Sequence, residues 1–337
     1  MVDTPPSPIV LPPPEPTDVP VEMRLSFPMR LHDGTLVPTT TVWRMLTAAR
    51  DGDLATVTTL VEETPSLVRC DYNYMPPLHL AVREGHLDIV MFLAQRGAVN
   101  PKYRTYPYHE PLATVAEDRG FSAIASVLAE HGRHADPDRA EDENGKIDYG
   151  RDGERQRFEQ LVNANALGAV EALLDKRSEL AVDPFAFWSE GVLMMPAHDH
   201  RRPMIELLMR YGATVPSLTK WGREYYFKHD EIAACLLERS MDPDHLNCHR
   251  TSLLHSMAHA GDIRKAALLL DHGAAIDAVD DEFRSTPLGF AARWGQFEMV
   301  RLLLDRGADR DLAGADWSTP LAWARRKGHA KVAALLR

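Results

Sequence analysis

The chain has 337 residues, 45% of them hydrophobic, and 49 acidic against 38 basic side chains give it a formal net charge of −11. That length and apolar content allow a sizeable core, while the acidic balance excludes general nucleic-acid binding, which needs an electrostatic footprint of lysine and arginine. No apolar run reaches the roughly 18 to 20 residues that cross a bilayer, and no basic segment with an apolar core and cleavage site begins the chain, so a cytoplasmic protein without membrane contact is expected.

Residues 1–21 form a proline-rich leader: eight prolines fall within the first twenty positions, among them Pro12, Pro13 and Pro14. Proline lacks an N–H and fixes φ, so the leader is expected to be disordered and to sample extended polyproline-like conformations. A proline-rich recognition motif is the functional alternative. Residues 22–42 hold Asp33-Gly34 between short apolar stretches. This turn signal predicts a short hairpin that caps the apolar end of the segment beginning at Trp43.

From Trp43 to Arg337 the chain repeats itself. Gly52, Gly85, Gly120, Gly261, Gly295 and Gly328 each close a helix-like apolar stretch, and neighbouring members stand 33 to 35 residues apart where both are present. The clearest copies read MPPLHLAVREGHLDIVMFLAQRGAV from Met75, TPLGFAARWGQFEMVRLLLDRGAD from Thr286 and TPLAWARRKGHAKVAALL from Thr319. Each predicts two short helices. Pro77, Pro287 or Pro320 suits the first turn, where a missing N–H is no loss, and the glycine stops the first helix by taking a positive φ.

Aligning on these glycines predicts nine units, with first helices near 43–51, 77–84, 111–119, 157–164, 193–199, 220–227, 252–260, 287–294 and 320–327. From the third to the seventh unit the stop positions Gly120, Asn165, His200, Lys228 and Gly261 are spaced 45, 35, 28 and 33. That irregularity implies a charged, solvated insertion near 133–156 and one shortened connection. Within the insertion Asp142, Asn144 and Gly145 invite comparison with a calcium loop, but Ala140 and Arg151 stand where the first and twelfth ligands belong.

The repeat resembles the ankyrin repeat. The resemblance implies an all-α, ankyrin-type helix-turn-helix solenoid with hairpin fingers over residues 43–337. Units four to six lack the Thr-Pro-Leu-His turn and are placed by second-helix patterns such as VEALLD and MIELLMRYGA. The resemblance also implies a concave groove, lined by fingers and first helices, that holds a protein or peptide partner. On it fall residues two before the stop positions: Arg83, Asp118, Asn163, His198, Tyr226, His259 and Arg293. Phe227 and Trp294 lie beside these, and Tyr106, Trp188, Trp221 and Phe283 lie in or near fingers. Aromatic and arginine side chains offer large contact area for little entropy lost. The competing reading is that several of them pack finger against finger.

The alternative is an enzyme for a small polar or sugar-like substrate in the irregular units five to seven, with His198, Tyr226 and His259 as acid, base or ligand. His255 and His259 stand four apart on one predicted helix, a spacing that puts both imidazoles on one face, as a divalent transition-metal site on a helix requires. His229, His245 and His249 are further candidate ligands, with Asp230, Asp242, Asp244 and Cys248. His198 and His259, two units apart, are expected roughly 16 to 20 Å from one another and cannot share an ion. Against a metal, His255 takes the repeat's usual histidine position, matched by His79, where the resemblance implies a hydrogen bond to the turn backbone. The chain carries no Gly-x-Ser-x-Gly elbow, phosphate-binding Gly-Lys-Ser/Thr loop or His-Glu-x-x-His helix, and no cofactor is predicted. Three widely spaced cysteines, Cys70, Cys235 and Cys248, fit a reducing compartment.

Overall fold

The computed structural model describes residues 19–135, 145–150, 153–239, 241–247 and 249–337. The leader up to Asp18, the calcium-loop positions Ala140, Asp142, Asn144 and Arg151, and the candidate ligand Cys248 lie outside the described residues.

Among the described residues, nine helix pairs stack in chain order. Units one to three pair Thr39–Asp51 with Leu54–Glu63, Pro77–Glu84 with Leu87–Gln95, and Leu112–Asp118 with Ser122–Gly132. Units four to six pair Gly153–Asn163 with Leu167–Leu174, Met194–His198 with Arg202–Arg210, and Gly222–Tyr225 with Asp230–Arg239. Units seven to nine pair Leu253–Ala260 with Ile263–Asp271, Pro287–Arg293 with Phe297–Asp305, and Pro320–Arg326 with Ala330–Leu335. The fold is thus the helical solenoid that the glycine spacing predicts. The first helix starts at Thr39 rather than Trp43, because the buried Thr39 hydroxyl donates to the Leu25 carbonyl at 2.5 Å and ties the helix to the N-terminal segment.

Local chemistry explains the repeat. Ser252, Thr286 and Thr319 cap their first helices through side-chain oxygens. The stop glycines take positive φ, and Asn165 (φ 55) and His200 (φ 58) adopt the same backbone where glycine is missing. The residue after the stop reaches back to the preceding unit: the Nε2 atoms of His86, His229 and His329 meet the carbonyls of Arg50, His198 and Arg293 at 2.8, 2.9 and 3.0 Å. Gln296 Nε2 donates likewise to the His259 carbonyl at 2.9 Å. Carbonyls left open at one helix end are thereby satisfied by the next unit.

The N-terminal cap is a small sheet. Strands β1 (Pro28–Arg30) and β2 (Leu36–Pro38) pair antiparallel across the Asp33-Gly34 turn, with Met29 opposite Val37. Strand β3 (Lys146–Ile147) joins the other side of β1, with Ile147 opposite Met29. The expectation of a solvated loop throughout 133–156 is therefore corrected at these residues. Gly145 admits this contact, since a side chain there would collide with Met29. Farther on, β4 (Leu218–Thr219) and β5 (Leu246–Asn247) form a short parallel pair between neighbouring fingers.

Contacts are not confined to neighbouring units, as a simple solenoid would have them. One hydrophobic cluster spans the N-terminal cap and units one to three, and a second spans units four to nine. Tyr108, from the finger between units two and three, belongs to the second: its ring lies 4.8 Å from Phe283, 5.4 Å from His259 and 5.5 Å from Trp294. The array winds until its two ends meet.

Candidate functional site

At that meeting the concave face closes on itself. Asp118, in unit three, accepts from Arg293 Nη1 at 2.7 Å and lies 3.3 Å from Lys327 Nζ, while its carbonyl accepts from Arg326 at 2.7 Å. Arg293 also bonds Glu110, and its guanidinium sits 4.1 Å from the centre of the Trp323 ring. A second clasp surrounds Glu282, which is buried in the finger before unit eight. Its carboxylate lies 3.0 Å from His79 Nε2 and 3.7 Å from Arg83 Nη1, and its carbonyl accepts from Arg119. Burial pushes the Glu282 carboxyl up, but His79, Arg83 and Arg119 outweigh that and hold it below the usual carboxylate range. His79 thus leaves the turn-bonding role expected of it and reaches across the solenoid.

Several residues expected along an open groove are consequently spent on the protein itself. Arg83, Asp118, Arg293, Phe283, Tyr226 and Phe227 are buried and unavailable to a partner in this conformation. His259 and Trp294 pack together at 4.4 Å between ring centres, and Tyr106 lies against Tyr74 at 4.9 Å. Asn163 is exposed, yet its carbonyl already accepts from Arg201. For the charged residues the physical reason is the closure, which pairs opposite charges in both directions: Asp118 and Glu110 with Arg293, and Glu282 with Arg83 and Arg119. Tyr226 and Phe227 are buried in the hydrophobic cluster of units four to nine.

The catalytic candidates do not share a site. His198 sits near the surface between Asp199 and Lys228, at 2.8 and 2.9 Å. Tyr226 is wholly buried and its hydroxyl donates to the Glu190 carbonyl. Of the candidate metal ligands, His229, His245 and His255 are taken singly, while His249 is buried with neither ring nitrogen hydrogen-bonded. His229 stacks on His200 at 4.8 Å, His245 Nε2 meets Thr219 Oγ1 at 2.8 Å, and His255 spans Ser252 Oγ and the Ser285 carbonyl at 2.7 and 3.0 Å. Burial lowers His245, His249, His255 and His259 to about 4. Among the described residues no three His, Cys, Asp or Glu side chains converge on one point. Asp230 pairs with Arg264 at 3.0 Å, while Asp242 and Asp244 accept backbone N–H groups as turn residues do.

Among the cavities that stay open is an aromatic basin of about 650 Å³. The first finger supplies Tyr72 and Tyr74, the β3 segment supplies Lys146 and Tyr149, the later fingers supply Trp188, Lys220 and Trp221, and the first helix of unit six supplies Tyr225. Lys220 Nζ stands 5.7 Å from the Tyr72 ring centre and 6.0 Å from that of Trp221. Its backbone is fixed from below: buried Glu190 accepts the N–H groups of Lys220 and Trp221 at 2.6 and 3.2 Å. Burial raises the Glu190 carboxyl to about 7. Tyr149 is set by a stack on Phe185 at 5.4 Å, and Tyr72 by a hydrogen bond to Glu22 at 2.6 Å.

Trp188 is the unusual member. It is 60% exposed, although indoles are costly to leave in water. Phe187, Trp188 and Ser189 all take positive φ, at 48, 60 and 68°, as do Asn73 and Tyr74 on the opposite wall at 54 and 65°. Each such residue costs about 1–3 kcal/mol, and strain of this kind collects at binding sites. Of the basin's residues, Trp188 and Trp221 are among those that sequence alone singles out. Lys146, Tyr149, Lys220 and Tyr225 are not, because nothing local tells which finger faces which.

The family model described as ankyrin repeats (3 copies) matches residues 45–141, 223–314 and 254–337. Tyr149, Trp188, Lys220 and Trp221 fall between the matched stretches. Cyclin-dependent kinase inhibitor 2A of Monodelphis domestica is 33% identical over 107 residues, 32% of this chain and 62% of that protein. ARF GTPase-activating protein GIT1 of Homo sapiens is 35% identical over 80 residues, 24% of this chain and 10% of that one. A chain of Oryza sativa subsp. japonica named as a probable E3 ubiquitin-protein ligase is 44% identical over 57 residues, 16% of this chain and 11% of its own. The chain therefore spans from about a tenth to three fifths of these relatives' lengths.

Proposed function

The chain belongs to the ankyrin repeat family, whose repeats are protein-protein interaction modules, and on that premise we propose that it binds a partner protein through an extended peptide segment held in the aromatic basin. The observation that carries this is the exposed Trp188, held on three successive left-handed residues over a cavity walled by Tyr72, Tyr74, Tyr149, Trp221 and Tyr225. Rigid aromatic rings give contact area at small entropic cost, and the tyrosine, indole and lysine groups around them supply donors for a peptide's carbonyls. The first-helix groove is the weaker place for a partner, since entry there would separate buried ion pairs. Among the described residues no helix is long and apolar enough to cross a membrane.

The test is a peptide selected on the intact protein from a random display library. Trp188→Ala and Trp221→Ala are expected to weaken its binding about 10- to 100-fold, equivalent to about 1–3 kcal/mol, and Trp188→Ala should leave the thermal midpoint unchanged. Selected peptides whose affinity ignores both tryptophans would contradict the assignment.

A further inference from the structure

We propose that the ligand of this basin is a proline-rich segment and that its source is the chain's own leader, between Pro5 and Pro16. The inference rests on the basin being a peptide site and adds what the peptide is. Three observations converge on it.

The first is position. The described chain begins at Val19, and Val19 and Pro20 line a second cavity of about 560 Å³ that shares Tyr72, Asn73 and Lys220 with the basin. The leader therefore joins the fold at the basin's margin. A polyproline stretch advances about 3.1 Å per residue, so a few residues before Val19 suffice to reach the rings.

The second is hydrogen-bonding chemistry. Seven of the twelve residues from Pro5 to Pro16 are proline, so the segment is poor in N–H donors and rich in carbonyl acceptors. The basin is the complement. Trp188 and Trp221 carry indole N–H groups, and Lys146 and Lys220 carry ammonium donors. Asn73, 8% exposed in the wall common to both cavities, holds a buried side-chain amide nitrogen with no hydrogen-bond partner. A carbonyl placed there would satisfy it. Pyrrolidine rings pack well on aromatic faces, and a preformed polyproline helix loses little entropy on docking.

The third is charge. The first eighteen residues contain Asp3, Glu15 and Asp18 and no lysine or arginine. Lys146 and Lys220 give the basin the opposite sign, outnumbering its one carboxylate among the described residues, Asp71, which accepts the Gly145 N–H at 3.2 Å. The carboxylates of the adjoining cavity are already engaged: Glu22 accepts from Tyr72, Glu190 from two backbone N–H groups, Asp183 from the Phe185 N–H at 3.0 Å, Asp242 from the Asp244 N–H at 2.9 Å and Asp244 from the Ala275 N–H at 2.7 Å.

A labelled peptide copying residues 1–18 tests this when titrated into three full-length proteins. These are the wild type, a Pro12→Ala, Pro13→Ala, Pro14→Ala variant, and that triple variant with Trp188→Ala added. A short tether gives an effective concentration on the order of 1 mM, so a cis leader with a Kd of about 0.1 mM masks the site roughly tenfold. The triple variant is expected to bind the peptide about tenfold more tightly than wild type, and adding Trp188→Ala should abolish the gain. Equal affinity for wild type and triple variant would overturn the cis assignment. No binding to the triple variant, while library-selected peptides still bind in a Trp188-dependent way, would overturn the proline-rich ligand and leave the basin standing. Failure of both peptides would remove the basin itself.

Discussion

Replacing Asp118 by alanine removes the acid around which the two ends of the solenoid close. Arg293 would remain with its side chain 1% exposed and Asp118, itself 9% exposed, no longer opposite it. Lys327 would lose its partner at 3.3 Å as well. Breaking a buried pair by deleting one member costs about 3–5 kcal/mol, because the survivor stays desolvated. Glu110 still contacts Arg293, which places the expected loss near the lower end, about 3 kcal/mol. Urea unfolding of wild type, Asp118→Ala, Arg293→Met and the double variant reads it directly. The cycle should show a coupling of about 1–3 kcal/mol, with the double variant less destabilised than the two singles added together. A loss within about 0.5 kcal/mol for Asp118→Ala, the range of an ordinary surface substitution, would refute the buried clasp.

Acidification is the second expectation. His245, His249 and His255 sit near 4 rather than 6.5, so their contribution is complete above pH 6.5 and is lost as pH falls through about 4. Glu190 and Asp280, raised to about 7 by burial, act in the opposite sense, losing their contribution as pH rises through about 7. Three histidine protons against two carboxyl protons leave the unfolded chain binding one more, so stability should fall by roughly 1.4 kcal/mol per pH unit between about 6.5 and 4.5. The partly buried His259, lowered in the same way, steepens that fall. A urea midpoint at pH 5 equal to or above that at pH 7 would contradict this. Gly295→Ala should cost more than Gly97→Ala: both have positive φ, but an added methyl at Gly295 lies 2.6 Å from His329 Nδ1, whereas Gly97 has open space. Strain alone is about 1–3 kcal/mol, and equal thermal shifts for the two would argue against His329 being held in place.

The repeat is legible because its marks are local. A glycine that must take positive φ, a proline at a first turn and a threonine cap each announce themselves within a few residues, and they place the helices of units one, two, seven, eight and nine. Units five and six, with first helices of only Met194–His198 and Gly222–Tyr225, are visible through the apolar second helices alone. Closure leaves no such trace. Asp118 and Arg293 are 175 positions apart, and His79 and Glu282 are 203 apart. A periodicity of about 34 residues says nothing about how far the superhelix turns. The same gap hides the basin, whose rings come from fingers, from the end of the helix Gly222–Tyr225 and from Tyr149, just past a strand, Lys146–Ile147, that pairs with the N-terminal hairpin.

Small-angle X-ray scattering of the intact chain tests the closed solenoid most directly. Because the ends clasp through Asp118, Arg293 and Glu282, the radius of gyration should lie near the compact value for 337 residues, about 20 Å. An open array of nine units spaced at about 10 Å would instead give roughly 28 Å. That larger value would reopen the first-helix groove to partners and contradict the closed solenoid.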